Sequence, residues 1–398
     1  MSINNYSCLG IEISALSKQG GALTGAEIVQ QPAVWQQVRD LIVSRSAAIS
    51  QFLEPLILNK ELRIILTGAG TSAFIGKCLA PQMLAKLQRR VEAIATTDLV
   101  SGPDLYFQPA VPTLLVSFAR SGSSPESLAA VELANQLCPT IHHIIVTCNE
   151  QGELFVNSKD RSNVLTVLLP QATHDRGFAM TSSFTSMLYS ASLMFGLVNS
   201  DEQYCQSMSQ AAADVIERAL PLVRGLVEKK FERVVYLGSN ALRGLAEEAA
   251  LKLLELTDGR TVACFDSPLG FRHGPKTIVN DKTLVVLFLT NHPYTRQYDL
   301  DLLRELQQDG KAGQVVALSA NQDMIDSADY FHVTELAHAN NLELALPYIV
   351  FAQIFALLQS LALGNTPDRP SASGTVNRVV QGVTVYPFLG EVSHVSGR

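Results

Sequence analysis

The stretch Leu62-Arg-Ile-Ile-Leu-Thr-Gly-Ala-Gly-Thr-Ser-Ala73 joins a short apolar run to a glycine-bearing turn, and a helical pattern follows it. A short apolar run that ends at glycine is typical of a strand buried on both faces. Further apolar runs begin near Val111, His143 and Val164, each with a helix-like segment beside it. Alternating strands and helices predict an α/β fold, in which helices cover both faces of a parallel sheet.

The same pattern starts again in the second half of the chain. The run at 231–242 repeats the opening stretch, with Gly238 at the place of Gly68, and the run at 284–290 repeats 113–118. A repeat of about 170 residues predicts two tandem copies of one α/β domain rather than a solenoid. We predict four segments: an N-terminal helical segment at 1–45, a first domain at 46–205, a second domain at 206–366 and a C-terminal tail at 367–398.

The N-terminal segment carries a helix-start signal. Thr24 and Glu27 have the spacing of a capping box, in which each side chain bonds a backbone N–H of the other. This spacing predicts a helix that begins at Thr24 and continues, with a break near Pro32, to about Leu58.

The composition excludes several classes of protein. Of 398 residues, 47% are hydrophobic and 17% are charged, which excludes disorder over most of the length. The net charge is −7 and the basic residues form no long cluster, so we expect no nucleic-acid partner and no polybasic membrane anchor. Six cysteines without a C-x-x-C pair favour a reducing compartment, and the start of the chain has no signal-peptide pattern. We therefore expect a cytoplasmic protein.

One apolar stretch, 342–363, is nearly long enough to span a membrane. It contains Glu343, Pro347 and Gln353, which a membrane span tolerates poorly. We interpret it as a buried helix and expect no membrane partner.

A hydroxyl-rich loop follows the predicted strand near 111–117. In Ser117-Phe-Ala-Arg-Ser-Gly-Ser-Ser-Pro-Glu126, Ser124 is a candidate N-cap and Pro125 the first residue of a helix. Backbone N–H groups, the helix dipole and serine hydroxyls can converge there on a phosphate. From spacing alone, an ordinary capped helix fits as well as a phosphate site.

The turn at 68–72 is of the same kind. It is an incomplete dinucleotide-binding fingerprint, and it lacks the Lys-Ser/Thr ending of a P-loop. Two such turns in one domain would hold a single phosphate from two sides.

Three charged residues share one face of an otherwise apolar helix. Glu248, Lys252 and Glu255 stand at positions i, i+4 and i+7. The spacing by itself favours a solvent-exposed, salt-bridged stripe. The alternative is a carboxylate held beside an ammonium group in a cleft, which suits proton transfer.

Histidines on loops are the remaining polar candidates. His273 precedes Gly-Pro on a rigid loop, where its ring can face a ligand. His174, Asp175 and Arg176 form a second polar loop cluster before Gly177. The spacings match no metal-ligand pattern, and we expect neither a metal nor a cofactor.

Taken together and in this order, these elements resemble the sugar isomerase (SIS) domain family. The resemblance covers about 45–385 and implies two tandem doubly wound, flavodoxin-like parallel-sheet domains with helices on both faces. The segments that carry it are 70–72, 117–124, 178–184, 248–255 and 273–275. The wording at 117–122 and at 373–382 is similar to galactosamine-6-phosphate deaminase/isomerases, also called tagatose-6-phosphate ketose/aldose isomerases.

The resemblance implies roles for individual residues. Glu255 would move a proton between C1 and C2 of the sugar, Lys252 would polarise it, and His273 would open the sugar ring, often from a partner subunit. Arg378 stands where the family can place a lysine, and an arginine does not readily form a Schiff base. The implied substrate-binding residues are Thr71, Ser72, Arg120, Ser121, Ser123, Ser124, Thr181, Ser182 and Arg378.

The implied activity belongs to amino-sugar catabolism. Galactosamine 6-phosphate would be converted to tagatose 6-phosphate and ammonia by a homodimer or larger homo-oligomer. Two alternatives stay open: a ketose/aldose isomerase that does not deaminate, and a phosphosugar-binding regulator without catalysis. The same base and ring opener would serve both enzymes, so these residues do not separate the two reactions.

Overall fold

The computed structural model of the protein describes residues 7–159, 161–322, 330–371, 373–374, 376–380 and 382–389. The end of the predicted tail, 390–398, lies outside the described residues, as do positions 372, 375 and 381 near and within the 373–382 motif. The strands are β1 Ser7–Cys8, β2 Ile11–Glu12, β3 Arg63–Thr67, β4 Arg90–Ala93, β5 Thr113–Ala119, β6 Ile141–Thr147, β7 Val164–Leu168, β8 Arg233–Gly238, β9 Val262–Asp266, β10 Thr283–Phe288, β11 Gln314–Ser319 and β12 Tyr330–His332.

The helices alternate with these strands as the sequence predicts. They are α1 Ile13–Lys18, α2 Ala22–Val29, α3 Gln31–Ser44, α4 Ser46–Leu58, α5 Thr71–Leu87, α6 Thr96–Ser101, α7 Pro103–Tyr106, α8 Pro125–Leu137, α9 Glu153–Val156, α10 Ser182–Met194, α11 Glu202–Glu228, α12 Ala241–Leu256, α13 Pro268–Phe271, α14 Pro293–Asp309 and α15 Asn341–Ala362. Short 3₁₀ helices occupy Gln171–Thr173 and Pro275–Ile278.

The chain forms two compact units. Within the described residues, the first-sheet unit lies in 44–174 and 379–389, and the second-sheet unit in 7–43 and 175–378. Each unit therefore joins segments that are distant in sequence. The domain boundaries predicted at 45, 205 and 366 stay a prediction.

Each unit has its own five-stranded parallel sheet, and the two sheets have the same strand order. The first has the order β4-β3-β5-β6-β7 and the second β9-β8-β10-β11-β12. Counted within each sheet, both orders are 2-1-3-4-5, the flavodoxin-like arrangement of doubly wound folds. The predicted fold of two tandem doubly wound domains is confirmed.

The opening turn of each sheet has the same backbone geometry. Gly70 and Asn240, which precede α5 and α12, have φ of 53° and 55° with ψ of −127° and −120°. A Cβ on Gly68 would lie 2.5 Å from the Cβ of Ser72, and one on Gly238 would lie 2.4 Å from the carbonyl oxygen of Leu242. Both glycines are required because the following helix passes directly against the turn. The repeat read from the sequence is thus present in three dimensions.

The long apolar helix α15 lies in the core of the second-sheet unit. It packs against α11 and α12, and it begins with a capping box formed by Asn340 and Glu343. Among the described residues it is the one single helix long and apolar enough to span a membrane, yet 94% of its most apolar window is buried inside the chain. The interpretation of 342–363 as a buried helix is confirmed.

The predicted helix start at Thr24 is wrong. Helix α2 begins at Ala22, and Thr24 lies in its first turn with its hydroxyl donating to Asp368 at 2.7 Å. Glu27 instead accepts hydrogen bonds from the backbone of Arg176 and Gly177. Both side chains bond to distant segments, and these tertiary contacts replace the local cap that their spacing suggests.

Candidate functional site

The two hydroxyl-rich turns follow neighbouring strands of the first sheet. The turn at 68–72 follows β3, and the loop at 120–124 follows β5, which pairs with β3 in parallel register. Strand order reverses between these two strands, and open α/β sheets bind ligands outside the carboxyl ends of their strands at such a switch point. Topology therefore brings the predicted phosphate-binding turns to one place.

The 120–124 loop leads into helix α8 as predicted. Ser124 occupies the N-cap position and Pro125 is the first helical residue, while the Ser124 hydroxyl lies 2.6 Å from the Ser127 hydroxyl. The Ser121 hydroxyl accepts the Ser123 N–H, and the Ser121 carbonyl accepts from Asn149. These hydrogen bonds fix the backbone of the loop. Its serines are half-buried and reach the surface.

Buried hydroxyls line the switch point beneath these turns. Thr67 and Ser117 are register partners at the ends of β3 and β5, and Thr96 begins α6. All three are buried, and their hydroxyl oxygens have no hydrogen-bond partner within the described part of the chain. Buried polar atoms without partners are usually satisfied by ordered water or a ligand, so these hydroxyls fit a site that receives one.

The charged helix α12 is not solvent-exposed. Glu248 and Lys252 are fully buried, and Lys252 Nζ lies 3.6 Å from Glu248 Oε1 and 2.5 Å from Glu255 Oε2. Only Glu255 reaches the surface, with 24% of its side chain exposed. The interpretation as a solvent-exposed stripe is wrong, because α12 is covered by α15 on one side and by β8 and β9 on another.

Glu255 lies in the last turn of α12, whereas the switch point of its sheet lies at the first turn. The buried ammonium group of Lys252 lies between two carboxylates, of which Glu255 is the one that is partly exposed. This arrangement suits a base that exchanges protons with a bound molecule.

His273 lies on an exposed loop whose two ends are fixed. Arg272 and Lys276 both donate to the carboxylate of Glu305 on α14. The hydrogen bonds from Lys276 and Arg272 lower the pKa of Glu305. The His273 side chain is solvent-exposed and is therefore accessible to a ligand or to another chain.

The switch point of the second sheet is closed by a side chain of its own. Asp299 on α14 accepts the Ser239 hydroxyl at 2.5 Å and the Thr290 N–H at 3.2 Å. Ser239 follows β8 and Thr290 follows β10, so one buried carboxylate joins the two loops that flank this switch point. Burial raises the pKa of Asp299 to about 6.

The predicted contacts Thr181 and Ser182 are fully buried and already hydrogen-bonded. Asp175 accepts the N–H groups of Thr181, Ser182 and Ser183, and the Ser182 hydroxyl donates to the carbonyl of Glu27. Arg378 donates to the carbonyls of Asp175 and Gly177. The assignment of these residues to substrate binding stays a prediction.

Two carboxylates of this region were not identified from the sequence as important. Asp175 stood out only as part of a polar cluster, and Glu27 only as half of a capping box. In the sequence, each is a carboxylate next to residues that it could hydrogen-bond locally. Residue spacing alone does not show whether such a carboxylate bonds to its neighbours or to a distant segment. In the described residues, no group of three or more His, Cys, Asp or Glu side chains could hold a metal ion.

These two sheets and their sites define a class of protein. The sequence profile of the SIS domain family matches residues 57–197. The chain belongs to the SIS domain family.

Particular relatives are similar over nearly the whole length. The chain is 48% identical over 370 residues to D-galactosamine-6-phosphate deaminase AgaS of Escherichia coli, covering 92% of this chain and 96% of the relative. It is 45% identical to the protein of the same name from Shewanella sp. (strain ANA-3), with 94% of each chain covered. The crystal structure of tagatose-6-phosphate ketose/aldose isomerase from Escherichia coli matches with a TM-score of 0.87 and 44% identity, covering 97% of this chain and all of the other.

Proposed function

We propose that this protein is a deaminase/isomerase that converts galactosamine 6-phosphate to tagatose 6-phosphate and ammonia in amino-sugar catabolism. The observation that carries the proposal is Glu255, a partly exposed carboxylate 2.5 Å from the buried ammonium group of Lys252. The substrate and the deamination are taken from the names of the similar proteins, and the proton transfer from this pair.

The first-sheet unit would bind the phosphate. Phosphate oxygens would accept hydrogen bonds from the serine hydroxyls of 121–124 and from N–H groups at the start of α8. Arg120, Thr71 and Ser72 are buried beside these turns and would add donors. The chain has a net charge of −7, but the local field of these groups sets the affinity for an anion.

The chemistry would proceed in balanced steps. His273 assists opening of the sugar ring, which creates the C1 aldehyde. Glu255, as carboxylate, removes the C2 proton that this carbonyl acidifies, and the enolamine forms as O1 takes up a proton. Return of the proton from Glu255 to C1 gives the C2 ketimine, and one water molecule adds to C2 and expels ammonia to leave the C2 ketone. Covalent imine formation through Arg378 plays no part.

The exposed His273 fits a homodimer or larger homo-oligomer in which this ring enters the site of a neighbouring subunit. The protein would act in the cytoplasm. Its free cysteines, Cys8, Cys78, Cys138, Cys148, Cys205 and Cys264, suit a reducing compartment.

A second candidate function is isomerisation without deamination. The solved structure from Escherichia coli carries the name of a ketose/aldose isomerase, and such a reaction needs the same base and ring opener. A coupled assay of ammonia release across hexosamine 6-phosphates and their N-acetyl forms tests the proposal. Ammonia from galactosamine 6-phosphate supports deamination, whereas ketose formation from an aldose 6-phosphate without ammonia release from any amino sugar supports the simple isomerase.

A further inference from the structure

The segment 175–181, which precedes α10 and is here called the ribbon, has side chains that alternate in exposure. Asp175, Gly177, Ala179 and Thr181 are buried, whereas Arg176 is exposed and the intervening Phe178 and Met180 are half-buried. Arg176 is thus the one residue of the ribbon whose side chain is exposed.

The backbone on either side of the Arg176 side chain is held by one carboxylate. Glu27 Oε1 accepts the Arg176 N–H at 2.5 Å and the Gly177 N–H at 3.1 Å, and Oε2 lies 3.2 Å from the same Gly177 nitrogen. A Cβ on Gly177 would lie 2.8 Å from Glu27 Oε2 and 3.0 Å from the Thr24 hydroxyl oxygen. Glycine at 177 is what allows α2 to approach this closely.

Other contacts also hold the ribbon. Asp175 accepts N–H groups from the first turn of α10, and Arg378 donates to the carbonyls of Asp175 and Gly177. Since the carbonyls are held by Arg378 and the N–H groups by Glu27, the loss of either partner would free one edge of the backbone. Of these two partners, Glu27 is the one that bonds to the backbone of Arg176 itself, through its N–H.

We propose that Glu27 is a positioning residue for substrate binding, because its carboxylate fixes the ribbon so that the Arg176 guanidinium faces an anionic sugar phosphate. Guanidinium groups bind phosphate and hydroxyl oxygens through paired N–H donors, and a fixed backbone reduces the ordering cost of that contact. The inference rests on the proposed function for the identity of the substrate.

The contact responds to pH near neutrality. Burial and the neighbouring Asp175 raise the pKa of Glu27 to about 7, Asp368 acts in the same direction, and the N–H groups of Arg176 and Gly177 oppose them. The charged groups that act on Glu27 are therefore Asp175 of the ribbon and Asp368 of the C-terminal segment, whereas the Arg378 guanidinium bonds to the carbonyls of Asp175 and Gly177. Above this pKa the carboxylate holds the ribbon with both oxygens, and below it one oxygen carries a proton.

The test is a double-mutant cycle between these two residues. KM for galactosamine 6-phosphate is measured at pH 6 and pH 8 for the wild type, Glu27→Gln, Arg176→Gln and the double variant. Glu343→Gln is the matched control, because Glu343 is equally buried and also accepts two backbone N–H groups, from Asn340 and Asn199. Hydrogen exchange of the Arg176 and Gly177 amides gives a readout that needs no turnover.

At pH 8 we expect each single variant to raise KM about tenfold, with the double variant no worse than Arg176→Gln. At pH 6 the wild type should approach Glu27→Gln, and Glu343→Gln should match the wild type in KM at both values. Exchange of the two amides at pH 8 should accelerate in both variants that carry Glu27→Gln, and not in Arg176→Gln or Glu343→Gln. The inference would be overturned if the effects of the two single variants on KM multiply in the double variant, or if amide exchange is unchanged in Glu27→Gln. An effect of Glu343→Gln on KM equal to that of Glu27→Gln would also overturn it.

A failure of the proposed function would look different. In that case the wild type releases no ammonia from galactosamine 6-phosphate, and the same cycle is measured as the Kd for inorganic phosphate. Coupling between Glu27 and Arg176 in phosphate binding, with faster amide exchange in Glu27→Gln, would uphold the positioning role. Absence of both would overturn it.

Discussion

Lys252 Nζ lies 2.5 Å from Glu255 Oε2 on α12, with the lysine fully buried and about a quarter of the glutamate side chain exposed. A buried ammonium group needs partners, and here Glu248 and Glu255 are both within reach. The pair thus combines a structural requirement with a carboxylate that reaches the surface.

Replacement of Lys252 by methionine separates these two roles. Loss of the ammonium group leaves Glu248 buried without its cation, and we expect unfolding free energy to fall by about 3–5 kcal/mol. Turnover should fall at least about hundredfold. Adding Glu248→Gln should restore much of the stability, measured by urea unfolding, but not the turnover. Wild-type turnover in Lys252→Met would contradict the role of this pair.

Binding and proton transfer should separate between the units. In a Glu255→Gln background that prevents turnover, calorimetry should give a Kd for substrate close to the wild-type KM. Adding Ser121→Ala should weaken binding about 10- to 100-fold, because a hydrogen bond to a charged phosphate is lost. Ser101→Ala, at an exposed serine of the same unit, is the control and should leave the Kd unchanged. Equal affinities with and without Ser121 would place the phosphate elsewhere.

The turn glycines should be intolerant of a single methyl group. In Gly238→Ala the new Cβ meets a backbone carbonyl oxygen at 2.4 Å, so we expect a loss of about 3 kcal/mol in thermal or urea unfolding. Gly225→Ala is the control, since a Cβ there meets nothing within 4 Å in the last turn of α11. That variant should gain up to about 1 kcal/mol from helix propensity. A neutral Gly238→Ala would show that the turn can relax.

Asp299 should make stability depend on pH. Its pKa is raised by burial to about 6, so the folded state holds more protons than the unfolded state between about pH 4 and 6. The wild type therefore loses stability relative to Asp299→Asn as pH rises through this window, by up to about 3 kcal/mol. Urea unfolding at pH 4.5 and pH 7 measures the difference. Asp301→Asn, at an exposed position of the same helix, should show no such change, and a flat difference for Asp299→Asn would refute the assignment.

Much of the fold could be predicted because local sequence patterns determine where its strands and helices begin and end. Apolar runs that end at Gly68 and Gly238 mark the first strand of each sheet, and the spacing between them reveals the repeat. The Ser124-Pro125 start of α8 was also predictable, since an N-cap and a proline act within one turn.

Burial of the charged helix was not predictable. An i, i+4 Glu–Lys pair has the same spacing whether the helix faces solvent or two other layers, and α15 covers α12 from about a hundred residues further along the chain. The predicted capping box of Thr24 and Glu27 was wrong for a related reason. Their partners, Asp368 and the 176–177 backbone, come close only in the tertiary structure.

The most direct test of the account is ammonia release from galactosamine 6-phosphate by the wild type and by Glu255→Gln, with Glu153→Gln, a glutamate on α9, as the matched control. We expect the wild type and the control to release ammonia together with a ketohexose 6-phosphate, and Glu255→Gln to be slower by at least about a thousandfold while remaining folded. Full ammonia release by Glu255→Gln would contradict the central claim that this carboxylate moves the proton.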